Sequence, residues 1–200
     1  MADINEVCDG DIGLIAPERA QKALRYRMTA DKKRCIAGGL LLRRFLNGAV
    51  VYENEFGKPV ADGVFFNLSH SGGHVILAVG DTDVGCDIER HRQVDPIRLG
   101  KVVFTGTELD LIAGSADRTG VFFDIWTKKE ALLKCMGRGF HRAAKTVDVC
   151  ADVFSEDGDR YRLKTVRIPD YTISVCAKNG EADFVIETVS LNDVRRELTQ

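Results

Sequence analysis

The sequence predicts an α+β protein of two similar-sized lobes, divided as residues 1–94 and 95–200. Three observations predict it. Each half reads as helices first and short strands after, the order of an α+β chain. The strand signals are brief and bounded by turn residues, as at Gly80–Asp83 and Ser155–Asp159, which suits antiparallel pairing. A polar stretch, "RHRQVDPIR" (90–98), makes a linker between the halves.

Bulk properties agree with a soluble globular chain: 200 residues, 44% hydrophobic and 29% charged. A chain of this length buries enough surface to need no staples. The formal net charge of -2 gives no electrostatic case for nucleic acid. No apolar run reaches the roughly 18 residues of a membrane span. The acidic start "MADINEVCDGDIG" lacks a signal-peptide core, so the expected location is cytoplasmic, away from membranes. Cysteines 8, 35, 86, 135, 150 and 176 include no C-x-x-C pair, and the four histidines supply no zinc spacing; they read as small reduced core residues.

In chain order, Pro17 and Glu18 open a helix to about Met28, proline and acid both suiting a first turn. A second helix runs from an Asp31 cap to Asn47-Gly48. "AVVYENEFGKP" gives a short strand and a turn, and "VFFNLSHSGG" a strand entering a loop. "HVILAVG" and "VGCDIE" flank the Gly80–Asp83 turn, so residues 74–89 read as a hairpin. Beyond the linker, Thr105 and Glu108 make a capping-box helix start. A longer helix spans roughly Val121 to Met136, stopped by Gly137 and Gly139. "TVDVCADVF", "RYRLKTV", "YTISVCA" and "DFVIETVS" then read as antiparallel strands.

Two segments carry chemistry. In "VGCDIERHR", Asp87 and Glu89 stand two residues apart and share one strand face, with Ile88 on the other. Side-by-side carboxylates repel and raise each other's proton affinity unless a cation sits between them. In "VFFDIWTKKEALLKCMG", Phe122, Ile125, Trp126, Leu132, Leu133 and Met136 form an apolar stripe with Lys129 near its middle. Stripping water from an ammonium is costly, so Lys129 either snorkels or meets a fixed anion in a cleft. Glu130 and Lys134 lie together at the stripe's edge, at the spacing of an ordinary surface ion pair. Three carboxylates suit a hard divalent cation, and two lysines suit the phosphate oxygens that such a cation also binds. The residues therefore point to metal-assisted chemistry on a phosphate or pyrophosphate, and a Mg²⁺-dependent pyrophosphate or nucleotide hydrolase would use the same carboxylates.

"FGKP" (56–59), "FNLSHSGG" (66–73), "VGCDIER" (84–90) and "WTKKEALLK" (126–134), in this order, resemble the 4'-phosphopantetheinyl transferases of the surfactin (Sfp) type. The resemblance implies two pseudo-twofold α+β lobes with the active site between them, hence a monomer. It implies transfer of phosphopantetheine from coenzyme A to a serine of an acyl or peptidyl carrier protein, with release of 3',5'-ADP. Asp87, Glu89 and Glu130 would hold Mg²⁺; Lys129 and Lys134 would contact the phosphates. Glu130 is the expected base, with Asp87 and Lys134 sharing the catalytic role. Ser69 and His70 would bind the nucleotide end, with Lys58 nearby, and Arg19, Lys22 and Arg34 would face the coenzyme's phosphates. Glu108 reads as a cap in preference to a catalytic acid. Cys35, Cys86 and "GRGF" (137–140) depart from the family pattern and bear on affinity and carrier preference.

Overall fold

The computed structural model describes residues 1–46, 48–55, 57–137 and 144–200. Asn47, Phe56, Gly139 and the rest of the run 138–143 lie outside the described residues. The first half opens with β1 (Ala2–Asp3), followed by α1 (Pro17–Arg25) and α2 (Thr29–Phe45). Pro17 sits in the first turn of α1 as expected. Asp31 does not cap α2. It lies inside the first turn and pairs with Arg34 at 2.9 Å, while Met28 occupies the cap. Next come β2 (Tyr52–Glu53) and β3 (Pro59–Val60), a two-stranded ribbon. A hairpin of β4 (Phe65–Ser71) and β5 (His74–Gly80) follows, with β1 against β5.

The hairpin expected over 74–89 is not formed. After Asp83 the chain enters β6 (Val84–Arg90), which leaves the first sheet and pairs antiparallel with β9 (Tyr171–Lys178). The second sheet runs β6-β9-β8-β7, with β7 (Val153–Glu156) and β8 (Asp159–Ile168) beyond β9. The reason is burial on the even-numbered face of the strand: Val84, Cys86 and Ile88 pack with Ile173, Val175 and Tyr171, and with Ile76 of β5. Cross-strand apolar neighbours stabilise this pairing more than a tight turn alone does.

The 90–98 stretch is more than a linker. Asp95 caps α3 (Pro96–Val103) through the Arg98 amide, with proline in the first turn. Helices α4 (Gly106–Gly114) and α5 (Arg118–Met136) follow, and Gly137 ends α5 in the left-handed conformation, φ 69°. Of "TVDVCADVF" only the end forms β7, although Val147 and Val149 are fully buried. "DFVIETVS" is no strand, and it leads to α6 (Leu191–Leu198), a helix the sequence reading missed.

One core joins α4, α5 and the second sheet through Phe122, Ile125, Leu132 and Leu163. Another gathers Ile4, Ile36, Leu40 and Val75, and takes in Leu191 and Val194 of α6. Thus β6 precedes residue 94 yet pairs in the second sheet, and α6 follows it yet packs in the first core. The six cysteines are free; Cys35, Cys86, Cys135 and Cys176 are buried as expected, whereas Cys8 is exposed and Cys150 half-buried. Among the described residues no helix is long and apolar enough to cross a membrane.

Candidate active site

The site lies where β4, β6 and α5 meet. Successive side chains of a strand alternate faces, so Asn67, Ser69 and Ser71 of β4 share one face. All three meet β6. Asn67 Oδ1 accepts from the Cys86 amide at 2.9 Å, Ser69 Oγ donates to Asp87 Oδ1 at 2.8 Å, and Ser71 Oγ donates to Glu89 Oε2 at 2.7 Å. Partner numbers rise together along both strands, so β4 and β6 run parallel, and side chains join them where the two sheets share no ladder.

Helix α5 closes the third side, and Gly85 is why it comes so close. A Cβ at Gly85 would fall 2.0 Å from the Ala131 carbonyl oxygen and 2.4 Å from the Cys135 nitrogen. Thr127 Oγ1 also meets Ser174 Oγ of β9 at 2.7 Å, which ties the helix to the strand next to β6. Gly85, Asp87 and Glu89 thus share the β6 face that α5 covers. Lys134 Nζ donates to Asp87 Oδ1 at 2.6 Å and to Ser69 Oγ at 3.1 Å. The surface pair Glu130–Lys134 is therefore not what the spacing serves, because Lys134 turns to the strand.

The electrostatics show carboxylates crowded at this seam. Burial, with Asp87 and Glu89 adding to it against Lys134, pushes the Glu130 carboxyl up to about 7. Burial and Asp87 also raise Glu89, against the hydrogen bond from Ser71. Burial alone would lower the Lys134 ammonium, but Asp87, Cys86 and Glu130 outweigh it and raise its pKa. Asp87 Oδ2 is buried with no hydrogen-bond partner. An orphaned carboxylate oxygen beside two acids of raised proton affinity fits a hard oxygen-seeking cation. The trio is not a preformed cage, however: among the described residues no three His, Cys, Asp or Glu side chains gather closely enough to hold a metal.

Lys129 requires a correction. It is buried, but in the second core, where protein acceptors take up its ammonium. Its Nζ donates to Glu108 Oε2 at 2.6 Å and to the carbonyls of Val147, Ala144 and Val103 at 2.8, 3.0 and 3.2 Å. The fixed anion that burial demanded is Glu108. Glu108 accepts from the Thr105 amide at 2.8 Å, as the capping box requires, and from the Val149 amide at 2.9 Å.

The residues expected at the nucleotide end divide. Ser69 is engaged by Asp87 and Lys134. On the same strand His70 lies near Arg34; partial desolvation, then Arg34 and Lys134, hold its imidazole below the ordinary range. Arg34 donates to the Gly72 carbonyl at 2.8 Å. Lys58 Nζ approaches the Val84 carbonyl at 3.5 Å, beside the start of β6. Arg19 and Lys22 instead line a cavity of about 850 Å³ with Leu42, Val50, Val51 and Tyr52, whose wall includes none of Asp87, Glu89, Glu130 or Lys134. Arg19 Nε is fixed on the Cys35 carbonyl at 2.9 Å, and Lys22 pairs with Glu53 at 3.6 Å. Sequence reasoning missed Asn67, Ser71, Gly85 and Thr127. The period-two alternation of "NLSHS" carried the signal for Asn67 and Ser71.

Fold and site define an α+β protein with carboxylates and a lysine gathered at the seam of two sheets, a setting for chemistry on phosphate esters. The model of the 4'-phosphopantetheinyl transferase superfamily matches residues 83–189, and the chain belongs to that superfamily. The 4'-phosphopantetheinyl transferase psf-1 of Bacillus pumilus is 32% identical over 188 residues, which is 88% of this chain and 73% of that protein. Sfp of Bacillus subtilis (strain 168) is 28% identical over 204 residues, 92% of this chain and 91% of its own. The gsp transferase of Aneurinibacillus migulanus is 33% identical over 138 residues, where the match spans 64% of this chain and 58% of the relative.

Proposed function

We propose that the chain transfers the 4'-phosphopantetheine group of coenzyme A to a serine hydroxyl of an acyl or peptidyl carrier protein and releases 3',5'-ADP. The observation that carries the reading is the seam itself: Lys134 and Ser69 on Asp87, with Glu89 and Glu130 crowded beside them. The serine oxygen attacks the phosphorus on the pantetheine side, the bridging P–O bond breaks, and the bisphosphate leaves with the electron pair. Glu130, at the edge of α5 beside Asp87 and Glu89, takes the serine proton as the general base. Lys134 faces the charge that grows on the departing oxygen. Asp87, through its unpartnered Oδ2, with Glu89 and Glu130 beside it, would hold Mg²⁺ only together with the coenzyme's phosphate oxygens, and the bound ion would supply positive charge against the pyrophosphate.

His70 and Arg34 sit where a terminal phosphate of the nucleotide would find donors, and an anion there would raise the lowered His70 pKa again. Both halves of the site come from one chain, so a monomer suffices. The relatives reported above are transferases by name, and no observation favours water as acceptor over a serine. Chromatography of the nucleotide product tests the reading. The expected result is 3',5'-ADP formed from coenzyme A and Mg²⁺ only when an apo carrier protein is present. Release at the same rate without carrier would mean a hydrolase.

A further inference from the structure

We infer that Lys129 and Glu108 are a positioning pair that fixes how α5 presents Glu130 and Lys134 to β6, and that Lys129 touches no phosphate. The inference rests on the transferase reading only for what α5 presents. The Lys129 ammonium has three protons and four acceptors: one carboxylate and the carbonyls of Val103, Ala144 and Val147. Every proton already has a partner inside the core, at 1% exposure, so no donor remains for a phosphate oxygen. The Phe104 ring lies 5.5 Å from the same Nζ and closes that side.

The partners matter as much as their number. Val103 ends α3, Glu108 opens α4, and Ala144 and Val147 belong to the segment after α5, so one side chain of α5 is held by three separate segments, two through carbonyls and one through a carboxylate. Glu108 adds the Thr105 and Val149 amides to the same knot. Residues on a helix are set roughly 100° apart, so clamping Lys129 fixes the azimuth of its neighbour Glu130 and of Lys134 further on. On the opposite side Gly85 admits the helix to van der Waals contact with β6. Held on both sides, α5 has one angle at which Lys134 meets Asp87. A buried ion pair is a poor source of net stability compared with apolar packing, which leaves orientation as what it supplies.

The test is Lys129→Met combined with Glu108→Gln, which removes both charges and leaves no lone buried ion. Melting temperature, coenzyme A affinity by calorimetry, kcat and KM for transfer, and amide hydrogen exchange along Thr127–Lys134 are read together. The expected result is a folded variant with unchanged coenzyme A affinity and KM. Its kcat should be lower by about tenfold or more, the scale of a misplaced catalytic group, with faster exchange along α5. A folded variant with weakened coenzyme A affinity would make Lys129 a phosphate ligand and overturn the inference. So would unchanged kcat and exchange, which would leave the pair merely structural. Should the double variant fail to fold, Glu108→Asp retains both charges but shortens the arm by one methylene. It is expected to lower kcat at unchanged affinity, and wild-type kcat there would overturn the inference. A wild-type chain that modifies no carrier would defeat the transferase reading; the exchange measurement then decides the positioning role alone.

Discussion

Glu130 is the residue whose environment says most about the chemistry. Folding raises its pKa from the ordinary 4.5 to about 7, so the folded state binds a proton there more tightly than the unfolded chain does. The associated stability is present below about 4.5 and is lost as pH rises through about 7. Glu130→Gln removes that loss. In chelator, the variant should melt above the parent at pH 8 by about 2–4 °C for each kcal/mol of relieved ionisation cost, and close to it at pH 5. Thermal melts at the two pH values check this, and the same variant should transfer phosphopantetheine about 10²-fold more slowly or worse. Asp87→Ala takes away the acid that Lys134 pairs with and one that raises Glu130. Transfer should be lost while the fold persists, and the Glu130 pKa, followed by NMR, should fall. Near-normal transfer by Asp87→Ala at saturating Mg²⁺ would contradict the assignment.

At the scale of elements, the contact between α5 and β6 decides whether there is a site at all. Gly85→Ala places a methyl against the backbone of Ala131 and Cys135, where no side chain can rotate away. The expected loss is about 3 kcal/mol or more by urea denaturation, with transfer falling further than stability alone explains because Glu130 and Lys134 are displaced. The sequence made much of this legible. The i, i+2 carboxylates, the Lys134 position and the Thr105–Glu108 cap follow from strand and helix periodicity, which local chemistry sets. Other features depended on partners far along the chain. The stripe marks Lys129 as an ammonium set among apolar residues, but periodicity does not say whether its anion is a substrate or Glu108. The 74–89 hairpin failed for a like reason: the turn at Gly80–Asp83 favours it locally, while Ile173 and Val175, distant in sequence, draw β6 to the other sheet.

At the scale of the molecule, the halves are stitched by elements that cross between them. β6 carries Asp87 and Glu89 into the second sheet while its side chains hold β4 of the first, so the site exists only when both sheets are in place. The chain then returns, and α6 buries Leu191 and Val194 at 0% and 1% exposure in the first core. Leu191→Ala should lower stability by about 2–5 kcal/mol, seen as an earlier urea midpoint, although the residue belongs to no part of the site. An unchanged midpoint would show that α6 does not hold the first core. The most direct measurement of the central claim is intact-protein mass spectrometry of an apo carrier protein incubated with this chain, coenzyme A and Mg²⁺. The account predicts a single phosphopantetheine adduct on a carrier serine, absent with Asp87→Ala. A carrier that stays unmodified under conditions where a known transferase modifies it would contradict the account.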